Sequence, residues 1–273
     1  MLTILKLGGA LLTDKSRPGS LRVELLARIA REIRACMDAG LLDELILVHG
    51  VGAYGHLPVL QHRLHRGLQS PDQLLPFART QRQVMGLRQA IVSALQEAGV
   101  PAVLMLPSSG MTAEHFRIRQ QFLDPVAGFL RIGMTPVLGG DMLSDAAVGF
   151  SVYGGDAICV DLARHFSAKR LLFATDVDGV FTADPRRHPN ARRIPQLSLS
   201  QMDEIMLSAR ALDVSGAMQG KLREIDRAQE QIRAGMEVRL FSMKEPGRLQ
   251  AILSGEDLGT KIVERDHGSG DYP

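Results

Sequence analysis

Two kinds of hydrophobic pattern alternate along the chain. Short apolar runs predict buried strands, and segments with an apolar residue at every third or fourth position predict amphipathic helices. The predicted strands are residues 2–7, 45–48, 102–106, 136–138, 170–174 and 237–241. The predicted helices are residues 21–39, 72–98, 125–132, 157–166, 200–209 and 218–234.

This alternation predicts an α/β fold with a mostly parallel central sheet that is covered by helices on both faces. In such folds ligands bind at the carboxyl ends of the strands. Glycine-rich segments follow several of the predicted strands, so the sequence predicts a ligand site at that edge of the sheet. With 273 residues, the chain is long enough for one large domain or for two lobes that share a sheet.

Composition narrows the class of protein. Hydrophobic residues make up 45% of the chain and aromatic residues only 4%, which predicts a mainly aliphatic core. The formal net charge of +2 is too small to indicate nucleic-acid binding, and no apolar run reaches the roughly 20 residues that span a membrane. Cys36 and Cys159 form neither a disulfide framework nor a zinc motif. We therefore predict a cytoplasmic protein that has neither nucleic acid nor membrane as a partner.

Two lysines accompany the first glycine-rich segment. Lys6 lies in an otherwise apolar predicted strand and is followed by Gly8 and Gly9. Its ammonium group can reach a phosphate at the end of the strand, although a lysine in this position can also extend into solvent. Lys15 follows in the same loop, either as a second cation for that phosphate or as an ordinary surface residue.

The segment HGVGAYGH, residues 49–56, follows the second predicted strand. Glycine lets the backbone approach a ligand closely and exposes its N–H groups, so the segment is suited to binding a phosphate. His56 adds an imidazole that can bind a phosphate oxygen, and a buried structural histidine is the alternative. His62 and His65 have helical spacing, but no carboxylate or cysteine is spaced to complete a site with them, so we predict no metal ligands.

Acidic residues follow glycine pairs in the segments GGD at 139–141 and GGD at 154–156. Asp156 directly precedes a predicted helix, so it can cap the helix. Alternatively, it orients the lysines while the N–H group of Gly155 binds substrate. A carboxylate beside a phosphate requires a cation close by.

Two later segments also have the features of an anion site. Asp176 and Asp178 follow the predicted strand 170–174, where polar residues and a glycine are typical of nucleotide binding; a calcium loop is the alternative, but its pattern is incomplete. Lys221 lies near the start of a predicted helix, whose N terminus favours an anion. The P-loop motif and the Gly-x-Ser-x-Gly motif of serine hydrolases are both absent from the sequence.

These motifs, in this order, resemble the amino acid kinase superfamily from residue 6 to about residue 261. The shared motifs are KLGG at 6–9, GGD at 139–141, TDVDGV at 175–180 and GAM at 216–218 with Lys221. Within that superfamily, GAYGH at 52–56 together with Lys15 resembles isopentenyl phosphate kinases, in which this histidine binds the substrate phosphate. The resemblance implies a three-layer α/β/α sandwich. In this sandwich residues 1–165 form the phosphate-acceptor lobe and residues 166–273 the nucleotide lobe, with one continuous sheet.

The resemblance also implies an activity. It is the ATP-dependent phosphorylation of isopentenyl phosphate to isopentenyl diphosphate, a step of isoprenoid precursor synthesis in the alternative mevalonate route. ATP and Mg²⁺ are the implied cofactors, and a homodimer is the implied assembly. Catalysis would depend on positioning and charge neutralisation, because the acceptor is already an anionic phosphate.

The resemblance assigns roles to individual residues. The implied catalytic residues are Lys6, Lys15, His56, Asp156 and Lys221. The implied acceptor-binding residues are Val51, Gly52, Gly55, His56 and Gly155, with Met85 in an apolar wall for the substrate tail. The implied ATP-binding residues are Lys6, Gly8, Gly9, Ala10, Gly52, Thr175, Asp176, Asp178, Gly179, Gly216 and Lys221.

Some positions depart from the usual motifs of isopentenyl phosphate kinases, namely Ala10, Val51, Ala53 and Ala217. Related fosfomycin kinases have a similar loop of alanine, aromatic residue, glycine and histidine. A kinase for a phosphonate or another small phosphate is therefore the alternative enzyme. A non-catalytic nucleotide-binding sensor is the third interpretation.

Overall fold

A computed structural model of the protein describes residues 1–14, 17, 19–207 and 216–265. Within these ranges, the strands are β1 Leu2–Leu7, β2 Glu44–His49, β3 Ala102–Leu104, β4 Met111–Glu114, β5 Arg117–Gln121, β6 Thr135–Gly139, β7 Asp141–Asp145, β8 Gly149–Tyr153, β9 Arg170–Thr175, β10 Val180–Phe181, β11 Arg193–Ile194, β12 Gln196–Ser198, β13 Glu237–Ser242 and β14 Thr260–Val263.

The helices of the same ranges are α1 Gly9–Leu12, α2 Val23–Asp38, α3 Gly52–Gln61, α4 Leu74–Glu97, α5 Pro107–Gly110, α6 Asp124–Arg131, α7 Gly155–His165, α8 Leu199–Leu207, α9 Gly216–Asp226, α10 Gln229–Arg233 and α11 Arg248–Leu253. Short 3₁₀ helices occupy Leu64–Arg66 and Pro71–Gln73. None of these described helices is both long enough and apolar enough to cross a membrane.

The central sheet has the strand order β12-β14-β13-β9-β1-β2-β6-β3. All neighbouring strands in it are parallel except β13 and β14. Alternate residues of each strand point to opposite faces, so Ile4 joins a core with α6, α7 and α9, whereas Leu5 joins a core with α2, α4 and α11. This is a three-layer α/β/α sandwich, and the predicted fold class is confirmed.

A second sheet, with the order β5-β4-β7-β8, was not among the predicted elements. Its strands contain many polar residues, and β5, with the sequence RIRQQ, is mostly exposed. Such strands do not show the apolar run by which a buried strand is recognised. The sheet is nevertheless important for the site, because β7 and β8 lie between the glycine segments at 139–140 and 154–155.

Two local predictions were wrong. The glycine-rich segment at 52–56 begins helix α3 and is not a loop. The predicted helix 218–234 is two helices, α9 and α10, with Arg227 and Ala228 between them. Of the two alternatives for Asp156, helix capping does not apply, because Gly154 is the capping residue of α7 and Asp156 lies in its first turn.

Candidate functional site

The site lies where neighbouring parallel strands end. In the central sheet β9, β1, β2 and β6 are adjacent, and each is followed by one of the segments predicted to bind phosphate. The carboxyl ends of parallel strands lie at one edge, so the fold brings together residues that are distant in the sequence, such as Lys6 and Asp176, which are 170 positions apart.

The glycines at this edge allow backbone segments to pack directly on one another. A Cβ atom on Gly9 would lie 2.4 Å from the backbone nitrogen of Gly52, a distance that no side chain tolerates. Gly52 itself has a φ of +48°, a conformation that glycine adopts without strain. The two glycines therefore place the start of α1 against the start of α3, and the N terminus of a helix favours bound anions.

Two buried lysines share one carboxylate at the centre of the site. Lys6 Nζ lies 2.8 Å and Lys221 Nζ 2.6 Å from the same oxygen, Oδ1 of Asp156. Only 5% of Lys6 and 7% of Lys221 is exposed. Lys221 is also 5.0 Å from the centre of the Phe173 ring, and it lies in the second turn of α9, not in the first as predicted. The arrangement leaves a net positive charge beside the cavities.

The three groups perturb one another's protonation. Burial lowers the pKa of Lys221 to about 8, with repulsion from Lys6 in the same direction and attraction by Asp156 opposing it. Burial also lowers the pKa of Lys6, but Asp156 outweighs it and the net shift is upward. For Asp156, burial raises the pKa, but the two ammonium groups hold it well below its usual range. At neutral pH the carboxylate is ionised between two cations.

Two cavities meet at this cluster. The larger has a volume of about 320 Å³ and the smaller about 150 Å³. Both are lined by Lys6, Gly9, His56 and Asp156. His56 is an exposed residue of α3. A group bound in one cavity is therefore adjacent to a group bound in the other, which is the arrangement that transfer between two bound molecules requires.

The larger cavity contains most of the residues predicted to bind ATP. Its wall includes Gly8, Ala10, Thr175, Asp176, Gly179 and Lys221. Its wall also includes residues that were not assigned to ATP binding individually, among them Val177, Phe181, Arg186 and Met218. The cavity is thus polar near β1 and β9 and apolar near Phe181 and Met218, which suits a molecule with a charged end and a flat apolar end.

The smaller cavity has a polar end and an apolar end. Near Lys6 it is lined by Val51, Gly55 and Gly155, which were predicted to bind the acceptor. The apolar part of the wall consists of Val59, Val84, Met142, Val152 and Tyr153, and the wall also includes Thr80, Gln81 and Asp141. The side chains of α3, α4 and the second sheet therefore provide apolar surface for a short tail.

Some predicted site residues lie elsewhere. Met85 is 39% exposed and does not line the cavity, because Val84 occupies the inward position on α4. Asp178 accepts hydrogen bonds from Ser242 N and from the Arg248 guanidinium, so it supports the loop and does not face the cavity.

Gly52 does not contribute to either cavity wall, because it lies behind the wall, packed on Gly9 and Thr13. Gly216 is the first residue of α9. Lys15 lies outside the described residues.

A buried network behind the smaller cavity was missed. Arg88 is fully buried, and it donates hydrogen bonds to Nε2 of His49 at 3.0 Å and to the Gly140 carbonyl at 3.1 Å. Its guanidinium lies 3.6 Å from the Asp141 carboxylate. Burial and the Arg88 charge lower the pKa of His49 to about 3, so its imidazole is neutral. An arginine among the apolar positions of α4 was the available signal in the sequence.

The donor set does not provide a cage for a metal ion. Among the described residues no group of three His, Cys, Asp or Glu side chains is arranged to hold one. Asp156 is engaged by two lysines, and Asp176 by Arg186. Mg²⁺ typically keeps several waters and binds through substrate phosphates, and the site is compatible with that mode of binding.

Comparison with known proteins agrees with this geometry. Residues 1–242 match the model of the amino acid kinase family, and the chain belongs to that family. Among curated proteins it is similar to isopentenyl phosphate kinases. It is 33% identical to that of Methanothermobacter thermautotrophicus over 96% of this chain and 99% of the relative. It is 31% identical to the isopentenyl phosphate kinase of Methanocaldococcus jannaschii over 96% of this chain and 98% of the relative.

Solved structures give the same grouping. The solved structure of an isopentenyl phosphate kinase is similar to this fold with a TM-score of 0.82. The match covers 96% of this chain and 100% of that protein's chain, at 31% sequence identity. A UMP kinase from Bacillus anthracis, 19% identical over 97% of this chain and 96% of its own, has a TM-score of 0.68. That second likeness concerns the fold alone.

Proposed function

We propose that the protein is an isopentenyl phosphate kinase, which transfers the terminal phosphoryl group of ATP to isopentenyl phosphate and releases isopentenyl diphosphate and ADP. The observation that carries the proposal is the junction of the two cavities at Lys6, His56 and Asp156. The similarity to isopentenyl phosphate kinases over nearly the whole chain supports the choice of acceptor.

ATP would occupy the larger cavity. The backbone N–H groups of Gly9 and Ala10 would face its phosphates, while Gly8, Thr175, Asp176 and Gly179 border the nucleotide. Mg²⁺, bound by the ATP phosphates and water, would neutralise part of the phosphate charge. The family resemblance also predicts that Lys15 supplies a further cation, although this residue lies outside the described part of the chain.

The acceptor would occupy the smaller cavity. Its phosphate would lie near Lys6 and be held by His56 and by N–H groups around Val51, Gly55 and Gly155. Its five-carbon tail would pack against the apolar end. A cavity of about 150 Å³ suits such a short tail, and the valine and methionine side chains of its wall favour a hydrocarbon.

In the transfer step an oxygen of the acceptor phosphate attacks the γ-phosphorus of ATP. The bond between the γ-phosphorus and the oxygen bridging to the β-phosphate breaks, and ADP leaves with the electron pair. The acceptor oxygen is already anionic, so no general base is required. Lys6 and Lys221 would stabilise the charge on the transferring group, and Asp156 would hold both ammonium groups in place.

The broader organisation follows the family resemblance. Residues 1–165 would form the acceptor lobe and residues 166–273 the nucleotide lobe, with Lys6 and the glycines after it extending from the first lobe into the ATP site. The protein would act in the cytoplasm as a homodimer. Size-exclusion chromatography with light scattering tests the assembly, since a mass near the 29.8 kDa of one chain contradicts it.

An ADP-release assay tests the function. Purified protein with ATP and Mg²⁺ would be given isopentenyl phosphate, dimethylallyl phosphate or fosfomycin as the acceptor. We expect a kcat/KM for isopentenyl phosphate of about 10⁴ M⁻¹s⁻¹ or more. Preference for fosfomycin would assign the same site to a phosphonate acceptor, and absence of turnover with all three would refute the proposal.

A further inference from the structure

A chain of hydrogen bonds connects the wall of the smaller cavity to the helix that carries Lys221. Tyr153, a buried residue of that wall, donates its hydroxyl hydrogen to Oδ2 of Asp161 at 2.5 Å. The other carboxylate oxygen of Asp161 accepts a hydrogen bond from Arg227. Asp161 lies on α7, and Arg227 follows directly after the end of α9.

The helices α7 and α9 are therefore joined by two ion pairs. Nearer the cavities, Asp156 of α7 binds Lys221 of α9. Farther from the cavities, Asp161 binds Arg227. Asp161 lies five residues after Asp156 on α7, so the two carboxylates are separated by about 7.5 Å along the helix axis at 1.5 Å per residue. Two attachments separated in this way restrict rotation and sliding of α9 more than the Asp156–Lys221 pair alone, and they add to the packing of Leu222 and Ile225 in the core.

Asp161 holds both partners at once. Its side chain is only 10% exposed, so little water competes for its oxygens. Burial and the hydrogen bond to Asp161 raise the pKa of Tyr153, so the phenol keeps its hydrogen at neutral pH. Tyr153 is followed directly by Gly154, Gly155 and Asp156. The Asp161 carboxylate therefore holds both the wall of the smaller cavity, through Tyr153, and the orientation of α9, through Arg227.

We propose that Asp161 and Arg227 are positioning residues that keep Lys221 in register with the acceptor cavity. The inference rests on the proposed function, because it assumes that Lys221 serves the phosphoryl group that passes between the cavities. Neither residue lines either cavity, so both act through other residues. Release of Arg227 should loosen α9 and reduce the contact of Lys221 with Asp156.

The test compares Arg227→Met with two matched variants. Arg227→Lys keeps a cation that can reach Asp161, and it should restore most of the function. Glu224→Gln removes the charge of the other carboxylate that pairs with Arg227, at 2.6 Å, and leaves Asp161 untouched. We expect Arg227→Met to lower kcat about tenfold, the lower end of the effect of removing one partner from a charged hydrogen bond, and Glu224→Gln to have no effect.

Calorimetric ATP binding as a function of pH provides a readout that needs no acceptor. In the unsubstituted protein, affinity should decline above about pH 8 as Lys221 loses its proton. If α9 is loosened, both the hydration of Lys221 and its contact with Asp156 change, so the midpoint shifts. In Arg227→Met we therefore expect weaker ATP binding with a shifted midpoint, and in Glu224→Gln neither change.

The outcomes separate this inference from the proposed function. Absence of isopentenyl phosphate turnover in the unsubstituted protein contradicts the function, while the ATP measurements still decide the role of Arg227. An Arg227→Met protein with unchanged ATP affinity and midpoint overturns the inference, even if its melting temperature falls. If that variant does not fold, Asp161→Asn keeps the side-chain shape and should give the same two changes.

Discussion

Asp156→Asn is the most informative substitution in the central cluster. It removes the charge that Lys6 and Lys221 share while retaining the size and shape of the side chain. The structure implies that Lys221 then loses its main attractive partner and keeps both unfavourable influences, burial and repulsion from Lys6. Its pKa should fall from about 8, and the ammonium form should be lost at a lower pH.

The size of the shift follows from the geometry. At an effective dielectric constant of about 20, two unit charges about 4 Å apart interact by roughly 4 kcal/mol, which corresponds to about three pKa units at 1.36 kcal/mol each. Water in the adjoining cavities screens part of this interaction. We therefore expect a decrease of about one to three units, which moves the midpoint of Lys221 to between about 5 and 7.

The assay is the pH profile of kcat/KM for ATP between about pH 5 and 9.5 at constant ionic strength, because this parameter reports groups that titrate in the free enzyme. The unsubstituted protein should lose activity above about pH 8. Asp203→Asn, at an exposed position of α8, is the matched control and should keep that profile. A midpoint in Asp156→Asn that stays at 8 or rises would refute the shared-carboxylate account of Lys221.

Three further predictions concern other parts of the molecule. His56→Ala should raise KM for isopentenyl phosphate or lower kcat while calorimetric ATP affinity stays near normal; an unchanged steady-state profile contradicts its role as a phosphate ligand. Val84→Ala should improve turnover of longer prenyl phosphates, whereas Met85→Ala, at an exposed position, should not; the reverse result in a chain-length series contradicts the assignment of the cavity wall. Asp145→Asn should lower the melting temperature at pH 7. Burial raises the pKa of Asp145, but hydrogen bonds from four backbone N–H groups outweigh it and the net shift is downward. Its stabilisation is present above the unfolded value of 3.8 and is lost as the pH falls through the lowered folded-state pKa. The melting temperatures of the two proteins should therefore converge at acid pH, and a constant difference contradicts this.

The layered fold was predictable because its signal is local and repeated. The strands β1, β2 and β9 are short apolar runs, and the helices α2, α4 and α7 have regular apolar spacing. Those residues alternate between the two cores in the way their pattern predicts. The second sheet could not be predicted in the same way, because its polar strands are stabilised by partners distant in sequence, as Ala113 pairs with Asp145.

For the candidate site, the sequence indicated the chemical groups better than their positions. A lysine in an apolar strand and glycines after strand ends were recognisable, and the structure brings Lys6, Asp156 and Lys221 into contact. Residues that contribute through shape were assigned less well, since a helix turns by about 100° per residue and the choice between Val84 and Met85 depends on how α4 packs. Arg88 was missed because its partners are on three other segments.

The sequence by itself indicated the main strands and helices of the central sandwich, and it placed a lysine at the end of the first strand and glycines and a histidine after the second. Hydrophobic periodicity and the conformational freedom of glycine act over a few residues, so they can be recognised from the sequence without a structure. Only the tertiary structure decided that one oxygen of Asp156 serves two lysines, that two cavities share His56, and that Asp161 links Tyr153 to Arg227. Those contacts join residues far apart in the chain, and their distances depend on the packing of whole helices against the sheet.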